Sequence, residues 1–163
     1  MERYNDIRHN NGQLFVRTFY RNGKMRKKYG WYSDGQPWWT EYFNEYERRE
    51  GEYKEWHKDG HLYIHSFHRD GDREGKYKSW YSNGNPCKHE FYRDGRLEGE
   101  RKCWHENGWL ARREICKNGL VVDMDFSLNK KIVFLRLIRL LRNRTYLINS
   151  TLISDLAAIV LRF

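Results

Sequence analysis

The sequence predicts a mainly β chain: an elongated, single-layer antiparallel meander of hairpins over residues 1–123, then a basic amphipathic helical tail over 124–163. Three observations predict it. Asn-Gly or Asp-Gly pairs punctuate the first part at 11–13-residue intervals, with one interval skipped. A tryptophan stands four residues before successive turn glycines. Aromatic residues reach 17% in a chain that is 33% charged. Disordered chains are charged but poor in rings, whereas compact domains carry more aliphatic residues. Rings amid this much charge suit a sheet with little interior.

The repeat is the primary signal. Gly12, Gly35, Gly60, Gly84 and Gly108 are spaced by 23, 25, 24 and 24 residues, which gives about five units of 23–25 residues. Trp31, Trp56, Trp80 and Trp104 lead the later four. A second turn glycine recurs at Gly23, Gly71, Gly95 and Gly119. The preceding residue at all nine of these glycines is Asn or Asp. Both residue types accept the positive φ of tight hairpin turns, so each pair reads as a reversal between strands of about six to nine residues. Pro37 and Pro86 follow turn glycines by two residues, near strand starts, where a missing N–H costs least.

A third glycine set, Gly51, Gly75 and Gly99, falls within strands. Such glycines mark a bulge or the close approach of a neighbour. The expected neighbour is a ring of the adjacent unit, with Trp31, Trp56, Trp80, Trp104, Tyr53, Tyr77, Phe67 and Phe91 stacking in ladders over glycine-made hollows. Two units depart from the pattern. Glu47 stands where a turn glycine is due, and one extra residue is expected near Trp38-Trp39, giving a longer or bulged connection over 36–50. In the first unit Arg8 replaces the Trp and Lys27 the in-strand glycine, as terminal repeats commonly do.

The runs Gly51-Glu52-Tyr53-Lys54-Glu55-Trp56 and Phe91-Tyr92-Arg93-Asp94-Gly95-Arg96-Leu97-Glu98-Gly99-Glu100 resemble the MORN repeat variant over residues 7–122. With the basic tail, the wording is similar to repeat proteins of marseillevirus-type giant viruses and, more distantly, to bacterial antitoxin-type MORN-variant proteins. The resemblance implies a twisted sheet used for protein contacts or membrane tethering. The implied partners are proteins, capsid or other virion proteins among them, with a membrane surface as an alternative. It implies a virion or viral-factory setting for a viral chain. Viral and bacterial origins both stay open, as does the oligomeric state.

Catalytic and metal chemistry find little support. His57, His61 and His65 are spaced by four, but a turn lies between them, so helical spacing does not apply. His57 and His105 occupy a slot that Tyr32 and Tyr81 fill elsewhere, which favours packing over ligation. Glu50, Glu74 and Glu98 are equivalent carboxylates, and a catalytic pair needs unequal environments. Cross-strand pairing with Lys or Arg is their expected use. No phosphate-cradling glycine loop, HExxH or Gly-x-Ser-x-Gly is present. The expectation is no enzyme, no cofactor and no metal.

The formal net charge is +9, with 24 basic and 20 acidic residues in 1–123 and seven basic and two acidic in 124–163. In the repeats, basic and acidic residues alternate, which argues against a nucleic-acid surface. The start, Met1-Glu2-Arg3-Tyr4-Asn5-Asp6, has no apolar signal region. Cys87, Cys103 and Cys116 form no CxxC motif, which fits a reducing, cytoplasmic setting. In the tail, Arg136, Arg139 and Arg142 sit at three-residue spacing among leucines, followed by Arg144. This predicts a helix that caps the sheet edge, docks on a partner or lies on an anionic membrane.

Overall fold

The computed structural model describes residues 2–124. The strands are β1 (Glu2–Arg8), β2 (Leu14–Arg21), β3 (Lys24–Trp31), β4 (Pro37–Tyr42), β5 (Gly51–Trp56), β6 (Leu62–Arg69) and β7 (Asp72–Arg73). They continue as β8 (Gly75–Trp80), β9 (Pro86–Arg93), β10 (Arg96–Leu97), β11 (Gly99–Trp104), β12 (Leu110–Lys117) and β13 (Leu120–Met124). All belong to one sheet, ordered as in the sequence, with β7 beside β6 and β10 beside β9. The described residues contain no helix. The predicted tail, with Arg136, Arg139, Arg142 and Arg144, lies outside them.

Turn chemistry explains the meander. Asn22, Asp70, Asp94 and Asn118 and the glycines that follow them all have positive φ. These are two-residue primed turns, and their twist matches that of the strands they join. At Gly12, Gly35, Gly60, Gly84 and Gly108 only the glycine is left-handed. There the loop has three residues, and the Asn or Asp side-chain oxygen accepts an N–H two residues on, as in Asn85 N to Asn83 Oδ1 at 3.0 Å. The sequence pairs look alike, yet they build two alternating kinds of turn.

The β4–β5 connection departs from expectation. The extra residue lies in the turn, not near Trp38-Trp39. Asn44 N donates to Arg48 O (2.9 Å) and Glu47 N to Asn44 O (3.1 Å), so a three-residue loop replaces the primed turn used elsewhere. Glu47 fills the glycine position at φ 58. Its side chain offsets that strain by accepting the Met25 N–H at 2.8 Å.

The in-strand glycines also differ from expectation. Gly51, Gly75 and Gly99 have φ of 83, 82 and 75, and a Cβ on any of them would meet nothing within 4 Å. No ring covers them. They are required by the left-handed bulge, where Glu74 N reaches Phe67 O and Glu98 N reaches Phe91 O. The close approach occurs at Gly30, where a Cβ would collide with the Trp39 indole.

Alternation along the strands sorts side chains onto two faces. The closed face carries Thr18, Glu41, Ser66, His68, Tyr77, Ser79, Glu90, Glu114 and Cys116, all buried. Only Tyr77 and Cys116 among these are apolar. The open face carries Lys54, Lys78 and Lys102, which alternate with the closed-face residues of their strands.

Gly84, at φ +81 with open space where a Cβ would stand, tests the turn. Gly84→Val should lower stability by about 1 kcal/mol or more, and Gly84→Asn by clearly less, in thermal or denaturant unfolding. Equal tolerance of both would contradict the left-handed assignment.

Candidate functional site

The units are joined by two ladders of hydrogen bonds to the backbone. In the first, the residue after the repeat Trp, or after Arg8 in the first unit, reaches the Trp carbonyl of the next unit. Tyr32 Oη donates to Trp56 O and Tyr81 Oη to Trp104 O, both at 2.8 Å. His9 Nε2 lies 2.9 Å from Trp31 O, and His57 Nε2 lies 3.1 Å from Trp80 O. Tyr and His interchange here because each puts an N–H or O–H at the same reach. The alternation is visible in the sequence as a shared slot, but the bond to the next unit is not.

The second ladder uses the acids before the bulge glycines. Glu50, Glu74 and Glu98 each accept a backbone N–H through Oε2, from Asp70, Asp94 and Asn118, all at 2.9 Å. The main chain adds Gly71 N to Arg49 O (2.9 Å), Gly95 N to Arg73 O (3.0 Å) and Gly119 N to Leu97 O (2.9 Å). The expected cross-strand Lys or Arg pairing is therefore replaced by a clamp on the next turn. Glu74 adds a basic partner, Arg69 at 3.5 Å.

The rings are placed differently from the predicted ladders. Tyr53 meets His68 and Tyr77 meets Tyr92 edge-on, each within its own hairpin. Trp31 contacts Tyr29, and Phe67 contacts His65, along single strands. Trp104 meets His89 of the preceding unit at 4.6 Å. Trp56, Trp80 and Phe91 enter no ring pair among the described residues. The tryptophans join units through their carbonyls more than through their indoles.

On the closed face the buried carboxylates are matched. Glu41 takes Arg49 Nε at 2.9 Å. Arg101 lies between Glu90 (2.9 Å) and Glu114 (3.4 Å), and Arg112 adds to Glu114 at 3.3 Å. His57, His61 and His65 separate onto Trp80 O, Asp59 and Glu52. No group of three potential metal ligands occurs among the described residues. Cys87, Cys103 and Cys116 are free thiols, and burial pushes Cys116 up from its ordinary pKa.

The open face carries a feature that the linear sequence conceals. Lys54 pairs with His65, His65 with Lys78, Lys78 with His89, His89 with Lys102, and Lys102 with Arg113. Six basic side chains thus form one row across six strands, each about 4.8 Å from the next. Basic and acidic residues alternate along the chain, but register segregates the bases. The signal available in sequence was the 24-residue recurrence of Lys54, Lys78 and Lys102 and of His65, His89 and Arg113. Beside this row Phe67, Phe91 and Ile115 stand exposed at 38%, 37% and 37%, one per unit.

Tyr32→Phe and Tyr81→Phe each remove one joint. Each should cost about 0.5–1.5 kcal/mol, close to additive in the double variant, by denaturant unfolding. His68 sits buried with Nδ1 unpaired, and burial, with Arg49 and Arg73 adding, lowers its pKa from 6.5. The unfolded chain then takes up the proton first. Stability should be full above about pH 6.5 and fall as pH drops through that value, and His68→Phe should flatten the change in melting temperature.

The family model described as MORN repeat variant matches residues 49–70, 73–94 and 97–118. No curated protein matches the sequence. A crystal structure of accessory secretory protein 1, 2 and 3 in Streptococcus pneumoniae is 18% identical over 71% of this chain, with a TM-score of 0.21. This chain spans 17% of that one, and the likeness is too slight to bear on the fold. The matched segments start at Arg49 and end at Asn118, and the same joints extend back to His9 and Tyr32. Between residues 49 and 118, therefore, the chain is similar to the MORN repeat variant over three consecutive segments.

Proposed function

We propose that the chain is a non-catalytic repeat scaffold whose open face holds protein partners. MORN repeats generally serve protein or membrane contacts. One observation supports the protein reading above others: Phe67, Phe91 and Ile115 form a periodic exposed apolar stripe beside the basic row. It lies apart from the joints between units, which run through Trp carbonyls and turn N–H groups at other positions. A repeated apolar stripe with charged neighbours is the usual make-up of a protein contact surface.

The similarity of the repeat wording to giant-virus proteins favours partners among the components of a virus particle or factory. Three free thiols fit a reducing, cytoplasmic setting. The matched carboxylates and scattered histidines support a role without catalysis or a cofactor.

Cross-linking in the cells that make the protein, read by mass spectrometry, tests this proposal. The expected result is a specific protein joined through the open-face lysines Lys54, Lys78 and Lys102. Recovery of lipid alone would select membrane tethering, and recovery of a toxin would select an inhibitor. Cross-links confined to closed-face positions would overturn the assignment of the face.

A further inference from the structure

The middle unit differs from its neighbours at one open-face position. Glu52 follows Gly51 and pairs with two members of the row, Lys54 at 2.8 Å and His65 at 2.9 Å. Glu100 follows Gly99 and does the same for Lys102 and Arg113. After Gly75 the same position is Lys76. A cation has replaced the neutralising acid. Lys76 and Lys78 then have no ion pair among the described residues.

These side chains line a groove of about 460 Å³ with His89, Phe91 and Arg93; Glu90, Glu98 and Glu100 line it too, but their carboxylates are held by Arg101, by the Asn118 N–H, and by Lys102 and Arg113. Phe91 lies directly opposite Lys76, and His89 opposite Lys78. The groove therefore offers a cluster of unmatched positive charge next to an exposed ring.

We propose that this groove binds a short acidic segment of a partner protein, its carboxylates between Lys76, Lys78 and Arg93 and an apolar side chain on Phe91. The proposal rests on the scaffold reading and names the chemistry of the partner. Along the row, unmatched charge is confined to the middle unit, because Glu52 and Glu100 pair with its members about 10 Å to either side, two strand spacings away. One chain segment fits that width. A plane of lipid headgroups would meet paired charge along the row on both sides of the groove. The exposed ring in turn favours a carboxylate carried beside an apolar group over a free inorganic anion.

His89 supplies an internal reporter. It faces Lys78 on β8 and Lys102 and Trp104 on β11, and burial together with the two lysines lowers its pKa from 6.5. A carboxylate seated in the groove offsets the lysine charge, so the His89 ring resonance should titrate at higher pH in the complex.

The test uses the full-length protein and a short dye-labelled peptide of Asp, Glu and Leu, followed by fluorescence anisotropy. Controls are the same peptide with Lys for its acids, inorganic phosphate, phosphatidylcholine vesicles containing phosphatidylserine, and a single-stranded oligonucleotide. The acidic peptide should bind, weaken with salt, and raise the His89 titration. Lys76→Glu should weaken binding at least about tenfold. It should not change the melting temperature, because both neighbouring units carry Glu at that position. Glu100→Lys, which frees Lys102 and Arg113 from that carboxylate, should tighten it. Unchanged binding by Lys76→Glu, equal binding of the basic peptide, displacement by phosphate at matching concentration, or preference for vesicles or oligonucleotide would each overturn the proposal. If cross-linking recovers the same proteins from wild type and Lys76→Glu, the groove is wrong and the scaffold reading stands. If neither yields a protein, both fall.

Discussion

Register is the constraint on which this sheet depends, and register is held by residues forced into the left-handed region. At Gly84 or Gly75 no neighbour demands a glycine, but the backbone does. A slip of one residue would send every side chain of a strand to the opposite face. Lys54, Lys78 and Lys102 would then enter the closed face, while Glu90 and Glu114 would lose Arg101. Alternating two-residue and three-residue turns fix both ends of each strand, so neither end can drift. The joints add a second check, since Tyr81 reaches Trp104 O only when adjacent units are in phase.

The sheet has almost no apolar core to draw on. Of its buried side chains only those of Tyr77 and Cys116 are apolar, and the rest are hydroxyls, one histidine and carboxylates. Buried ions are costly unless paired, and removing one partner is worse than replacing both. Arg101, shared between Glu90 and Glu114, is therefore the most exposed liability of the closed face. Cohesion comes from backbone ladders, half-buried rings and repeated joints, each linking one unit to the next. Such a sum of nearest-neighbour terms is the energetic form of repeat proteins.

Much of the fold was legible because it is written in turn chemistry. The nine Asn-Gly and Asp-Gly pairs sit at nine reversals, and Glu47 occupies the slot of the missing glycine. What the sequence concealed were interactions between units. Glu50, Glu74 and Glu98 look like cross-strand acids until the next turn is placed above them. Gly51, Gly75 and Gly99 look like hollows for rings because composition cannot separate a φ requirement from a steric one. The basic row was hidden for a similar reason. Alternation along the chain says nothing about neighbours across strands until register is known. The difference between Glu52, Lys76 and Glu100 gains meaning only when that row is seen.

The joint between units recurs at successive steps from residue 49 onward, and this makes unit number a free variable. Deletion of residues 58–81 would leave His57 in the place of Tyr81, opposite Trp104, and Glu50 in the place of Glu74, beneath Asp94. Both joints would re-form with side chains already used for them elsewhere in the chain. Gain of a unit follows the same logic in reverse. Recombination between like segments can thus lengthen or shorten the open face in whole steps of 24 residues while every surviving unit keeps its partners. The span of surface offered to a partner can change by duplication alone, and the charge of each step can change at a single position after the bulge glycine.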